Sequence, residues 1–449
     1  MWFIFEMKKR NAHSICLLLM MLLFGFKVEA QDYPWLSHNN IMVEARAHYC
    51  VFWHHHFEMQ RFNAFYPAFE ASIYQNTFGK NEWEHHYNYP YIGFTFYHAN
   101  YGINFQNDPN IGKVLGSVFA LYPFVNYPLV GNEHSQLTFK LGVGIGMLTK
   151  HFDPVENNLN YAIGSPLNAA VNLSFEYRQS ITKQLMSVAS VGLTHFSNGA
   201  TILPNYGLNT FSAAWGLAYY LRDPRLNLTP SKRPEHIPFE FDSKKWYYID
   251  LHYGIGFKDV SKLYGGDTTH FQVHELSSYF LIPFTQYSSA GLGFSMSLDL
   301  SDQRRPNHYV DDNGKIHVIV DIKDEEGNTI DQEDRQITPI MMTKPNLSVC
   351  YSMTMNRLSY LFEFGWHLKV LKVTDLSKGN IFQKVSLQYK VYENLYAQLA
   401  LTTHFGQADF LCFGIGYRFN NKYYLNKFNH ENKTKRLPPG VRKRRFEFL

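Results

Sequence analysis

Three polar residues stand on an otherwise apolar face within Gln184–Leu221: His195, Ser197 and Asn209. Side chains on a strand alternate between its two faces, so Val191, Leu193, His195 and Ser197 share one side while Ser190, Gly192, Thr194 and Phe196 take the other. On the returning run the same parity groups Asn209 with Phe211, Ala213, Trp215, Leu217, Tyr219 and Leu221. A hydroxyl, an imidazole and an amide on one greasy surface can serve as nucleophile, general base and orienting group, and the substrate they suit is apolar. Ester hydrolysis is the chemistry such a set performs once donors for a developing oxyanion are added. The other reading of the same trio is a row of interfacial polar residues where a strand leaves a bilayer.

The elements that must position this hairpin follow from composition. The 449 residues include 31 Tyr and 37 Phe, only 18% are charged, and the mean hydropathy is slightly negative. An aromatic chain that is not uniformly apolar, with strands alternating apolar and polar residues, is the pattern of a transmembrane β-barrel. Strands are expected near 41–53, 67–78, 90–105, 113–127, 136–150, 168–179, 184–198 and 209–222. A second series is expected near 246–260, 269–283, 288–300, 344–355, 358–369, 381–391, 394–405 and 409–419. The fold class is therefore all-β, an antiparallel transmembrane β-barrel of about 16 strands in one barrel, with two 8-stranded units as the alternative.

The rest of the chain divides around these strands. Lys8-Lys9-Arg10, the apolar run Ile15–Phe26 and Val28-Glu29-Ala30 read as a cleaved signal peptide over 1–30. No later run approaches a spanning helix. Residues 31–222 form the first half with the active-site hairpin, 223–245 a proline-bearing linker, 246–419 the second half and 420–449 a basic tail. Nine Lys/Arg of that tail face only Glu431 and Glu447, so the remainder of the chain is slightly acidic although the total is +4. The short joins at 178–181, 355–357 and 393–394 fall on the periplasmic side by strand count. The long 301–343 connection is expected outside only if one strand of the second series is recounted. Strand 184–198 then runs outward, placing His195 and Ser197 beside the outer leaflet.

The run His195-Phe196-Ser197-Asn198-Gly199, followed by Pro204-Asn205-Tyr206-Gly207-Leu208-Asn209, resembles the outer-membrane lipid A 3-O-deacylases, or acyloxyacyl hydrolases. Those are small eight-stranded barrels, and the motif covers about thirty residues here. The resemblance implies Ser197 as nucleophile, His195 as general base and Asn198 as part of an oxyanion hole. It implies an acyl ester of lipid A or lipopolysaccharide as substrate, the outer membrane as location, and no cofactor, metal or nucleic acid. Where the family has a glutamate as third member, this chain has Asn209. An amide can fix the imidazole tautomer but cannot stabilise imidazolium by charge, so lower activity is expected. A catalytically silent barrel, a pore or structural protein, is the rival reading, and homodimer formation is left open.

Other motifs carry less. Leu401-Thr402-Thr403-His404-Phe405 echoes Leu193–Phe196, but its parity turns His404 toward the lumen with Gln398 and Thr402. His54-His55-His56 and His85-His86 read as exposed loops, since successive histidines in an extended chain cannot converge on one ion. Segment 301–336 has ten Asp/Glu against five Lys/Arg, with Ile316–Ile322 extending a hairpin beyond the membrane and Asp324-Glu325-Glu326 in a solvated acidic loop. Gly142, Gly144 and Gly146 alternate on one strand face and suggest close packing inside a barrel. Cys50, Cys350 and Cys412, the cysteines left beyond the signal, form neither a disulfide framework nor a metal motif. The cluster Arg442-Lys443-Arg444-Arg445 reads as part of a solvated tail.

Overall fold

Strict alternation of inward and outward side chains organises the molecule. The computed structural model describes residues 41–420 apart from 55–56, 78–80, 133, 222–246, 260–269, 304–307, 314, 324–328, 337, 339–341, 369–379 and 405–406. The expected signal, linker and tail therefore lie outside the described residues, as do His55, His56 and Asp324–Glu326.

The first eight strands are β1 (Ile41–Phe52), β2 (Phe65–Asn76), β3 (Tyr91–Asn100), β4 (Ser117–Gly131), β5 (Ser135–Leu148), β6 (Leu167–Ser180), β7 (Leu185–Ser197) and β8 (Leu208–Tyr220). Each pairs antiparallel with the next, and β8 returns to β1 from Met42 opposite Tyr220 to Phe52 opposite Thr210, closing a barrel. A second barrel closes from β9 (Tyr248–Asp259), β10 (His270–Pro283), β11 (Ser288–Asp299), β15 (Thr343–Met355), β16 (Leu358–His367), β17 (Ile381–Tyr392), β18 (Leu395–His404) and β19 (Gln407–Asn420). Between β11 and β15, the strands β12 (His308–Val310), β13 (Ile316–Lys323) and β14 (Thr329–Gln336) form a separate three-stranded sheet, so the hairpin expected at 316–322 is present.

The sixteen expected barrel strands are there, but they close as two eight-stranded units rather than as one barrel. The physical reason is that β8 gives its free edge to β1 along its whole length, which leaves no edge to receive β9. Eight strands also enclose an interior that side chains alone can fill. Three further expectations need correction. The run 90–105 is shorter than its parity implied: β3 ends at Asn100, and a short helix Pro109–Leu115, capped by Asp108 accepting from Asn110 N at 2.9 Å, occupies the start of the expected strand 113–127. The connection after β11 follows the third strand of its barrel, so it lies at the same end as the long connections of the first barrel without any recount. His85 and His86 sit in a short helix, Glu82–His86, instead of a loop.

Both interiors hold buried ion pairs. In the first, Arg46 lies against Glu44 at 2.8 Å and Glu176 at 2.7 Å and also binds Glu70, while Lys140 meets Glu70 at 2.6 Å and Arg178 meets Glu44 and Glu176 at 3.0 and 2.7 Å. Three carboxylates and three cations balance, as buried charges must. Above them Phe52, Tyr66, Tyr97 and Phe196 pack beneath Met59, Phe62, Ile111, Leu115 and Ile163 from the outer connections, sealing the mouth. Gly146 is required there, because a Cβ on it would lie 2.7 Å from the Phe196 ring. The second interior holds Lys384 between Glu275 at 2.8 Å and Glu363 at 3.1 Å, and Arg418 against Asp250 at 2.7 Å.

The outer surfaces of both barrels carry exposed apolar side chains, among them Phe94, Val191, Trp215, Leu292, Phe413 and Ile415. The barrels touch at two levels. Near the short inner joins Tyr87 donates to the carbonyls of Tyr287 and Thr354 at 3.1 and 3.3 Å, and Tyr127 packs on Met355 and Tyr360. At the outer end the connection from β7 to β8 meets β9 and β19.

Candidate active site

The register of β7 against β8 sets the site. His195 stands directly opposite Asn209, and both face away from the lumen, as the parity of the sequence required. Their Nδ1 and Oδ1 atoms are 2.6 Å apart. With the amide oxygen as acceptor, Nδ1 carries the proton and Nε2 is left as the base. The ring lies over Gly207: a Cβ there would come within 2.7 Å of the imidazole Cε1, and the backbone at Gly207 has φ +77°. No other residue type meets both demands without strain.

Ser197, the last residue of β7, is buried at 3% exposure beneath the connection 198–207. Its Oγ accepts from Gly199 N at 3.1 Å and from Asn205 Nδ2 at 2.9 Å. Two consecutive left-handed residues, Gly199 at φ +66° and Ala200 at φ +62°, bend the chain back so that both donors converge on that oxygen. Asn205 cannot turn its amide round, because its Oδ1 accepts from Asn198 N at 3.1 Å. His195 and Ser197 share a face, about 6.6 Å apart along the strand. No hydrogen bond joins them among the described residues.

Asn198 therefore differs from its expected part. Its Nδ2 is engaged by Ile202 O at 2.7 Å and Ser165 Oγ at 3.0 Å, and its backbone N–H by Asn205. It ties the turn together, and the side-chain donor at Ser197 is Asn205, a residue the sequence reading quoted in the motif without giving it a role. The available signal was the turn itself: a residue that follows a tight reversal can come back to the strand end it left. The remaining support comes from the β5–β6 connection, where Gly207 N donates to Ala162 O at 2.9 Å and Tyr206 N to Tyr161 O at 3.3 Å.

Two family models match the chain: lipid A 3-O-deacylase (PagL) over residues 68–218, and the acyloxyacyl hydrolase C-terminal domain over residues 247–421. The chain belongs to the lipid A 3-O-deacylase and acyloxyacyl hydrolase family. The deacylase model falls on the first barrel and contains His195, Ser197, Asn198, Asn205 and Asn209, whereas the C-terminal model coincides with the second barrel. A comparison with curated proteins finds no match. Among solved structures, Neisserial surface protein A is similar over 40% of this chain and 96% of its own, with 8% identity and TM-score 0.27. The P. putida toluene transporter TodX is similar over 86% of this chain and 91% of its own, with 7% identity and TM-score 0.17. The KdgM porin covers 67% and 92%, with 6% identity and TM-score 0.15.

Within this deacylase-family chain, two other histidine constellations can be set against the hairpin. His404 points into the second barrel, with Nδ1 on Ile381 O at 2.9 Å and Nε2 3.5 Å from Asp409. It has no serine beside it in the echo, and it is enclosed. In the first lumen Ser212 Oγ lies 3.1 Å from His48 Nδ1, and His48 Nε2 lies 3.5 Å from Glu70. That set has nucleophile, base and carboxylate, but Glu70 is already held by Arg46 and Lys140, and the apolar seal stands between it and the outer mouth. Among the described residues, only the outward hairpin combines the three groups with two converging donors.

Proposed function

We propose that the protein is an outer-membrane serine esterase that removes an ester-linked acyl chain from lipid A or a similar acylated lipid. The observation that carries this reading is the pair of donors, Gly199 N and Asn205 Nδ2, converging on Ser197 Oγ beside a histidine tautomer fixed by Asn209.

In the reaction, Ser197 Oγ leaves its two resting donors and attacks the ester carbonyl while His195 Nε2 takes its proton, which brings the two atoms to about 2.6–3.2 Å. The carbonyl oxygen, two bonds from Oγ, becomes the oxyanion and accepts the N–H groups that Oγ has released. His195 then passes the proton to the departing sugar oxygen, leaving the acyl chain on Ser197. Water attacks this acyl-enzyme with His195 again as base, and a free fatty acid departs. No cofactor enters these steps. Because β7 runs toward the outer end, the site opens where the acyl ester of an outer-leaflet lipid would lie. A leader over 1–30 would be removed on export, and the two barrels would be joined by the 223–245 linker.

Mass spectrometry of lipid A from a lipopolysaccharide-bearing host tests the reading. Expression of the wild type is expected to yield lipid A lacking one acyl chain, whereas Ser197→Ala leaves it intact. Identical spectra from the two inserted proteins would return the silent-barrel reading.

A further inference from the structure

We infer that the second barrel belongs to the catalytic apparatus of the first, and that Asp259, at the outer end of β9, is the positioning residue through which it acts. The inference rests on the esterase reading of the Ser197 site.

The turn that carries both donors needs outside support. Ala200 is not a glycine, yet it stands at φ +62°, where an L side chain is strained, so its surroundings must hold it. Asp259 grips the turn on both sides of that residue's neighbourhood. Its backbone N–H donates to Ala200 O at 3.0 Å, and its carboxylate Oδ2 accepts from Leu203 N at 3.1 Å. Asp259 is itself 1% exposed, so the two bonds are shielded from competing water. A second strand of the same barrel meets the turn independently: a Cβ on Gly199 would lie 2.9 Å from Leu411 Cβ of β19, with Leu401 of β18 next to it. Gly199 N and Asn205 Nδ2, the two groups on Ser197 Oγ, flank the segment 200–203 that Asp259 fixes. Displacing that segment moves both donors at once, although Asp259 touches neither Ser197 nor His195.

The experiment compares Asp259→Ala, which removes the side-chain acceptor, with Asp259→Asn, which keeps one acceptor oxygen, in full-length protein whose barrels are shown folded by heat-modifiable migration. Two quantities are read: kcat and KM for lipid A deacylation, and deuterium exchange of the peptide spanning 198–207. The alanine variant is expected to lose about 10- to 100-fold in kcat with KM unchanged, as misplacement of a catalytic group produces, and to exchange faster; asparagine restores both. Should the alanine variant not fold, Leu411→Ala approaches the same turn from β19 and is expected to shift kcat and exchange in the same sense. Wild-type exchange in both the alanine and the leucine variants overturns the inference, and so does an asparagine variant as impaired as alanine. If the wild type itself removes no acyl chain, the esterase reading fails, while the exchange data still decide whether Asp259 holds the turn.

Discussion

At the level of single residues, the site is a family pattern with one substitution and one redistribution of roles. Asn209 fixes the tautomer of His195 through a 2.6 Å bond, yet it offers no negative charge to the imidazolium that the proposed attack would form. Asn209→Glu is therefore expected to raise kcat, on the order of ten-fold, since a carboxylate adds charge to the same orientation. Single-turnover deacylation by purified protein in mixed lipid micelles measures it, and a slower Asn209→Glu enzyme would mean that this site has adapted to the amide. In the proposed mechanism Asn205→Ala removes one of two oxyanion donors and is expected to cost roughly 100- to 1000-fold in kcat with little change in KM. A loss confined to KM would assign Asn205 to lipid binding instead.

At the level of elements, the strand end and the turn after it were unequally legible. The period of two places His195, Ser197 and Asn209 on one outward face without any structure, because register on a sheet admits only two faces. Residues 198–207 obey no such period. Their conformation depends on left-handed residues, on Ser165 and Ala162 from another connection and on Asp259 from another barrel, so the roles of Asn198 and Asn205 could not be separated from sequence. The same reason explains the misplaced limits of β3 and β4, where a capped helix interrupts an aromatic run that continues the strand pattern. Gly207 is the element's tightest point, with both a positive φ and the His195 ring against it. Gly207→Ala is expected to push the imidazole off Asn209 and to abolish most deacylation, while the unheated protein still migrates as a folded barrel. Full activity in that variant would mean that the ring can move without losing its function.

At the level of the whole molecule, alternation counts strands but cannot say where a sheet closes. Sixteen strands with the same parity suit one wide barrel or two narrow ones, and the choice is made by which edge β8 finds, a pairing between residues far apart in the chain. What lies inside then bears on the pore reading. A sixteen-stranded barrel encloses water, whereas an eight-stranded one is filled by its own side chains. Here Arg46 contacts three carboxylates across the first lumen under an apolar seal. In the second, Lys384 bridges Glu275 and Glu363 while Arg418 lies on Asp250 between the rings of Tyr248 and Tyr396. Each group is satisfied by its neighbours, so a passing ion would have to break buried pairs whose separation costs roughly 3–5 kcal/mol each. The purified protein in planar lipid bilayers is therefore expected to show no single-channel steps above the lipid baseline. Regular steps from wild type, persisting in Ser197→Ala, would revive the pore, because a conducting barrel needs a continuous polar passage that these buried pairs would have to leave open.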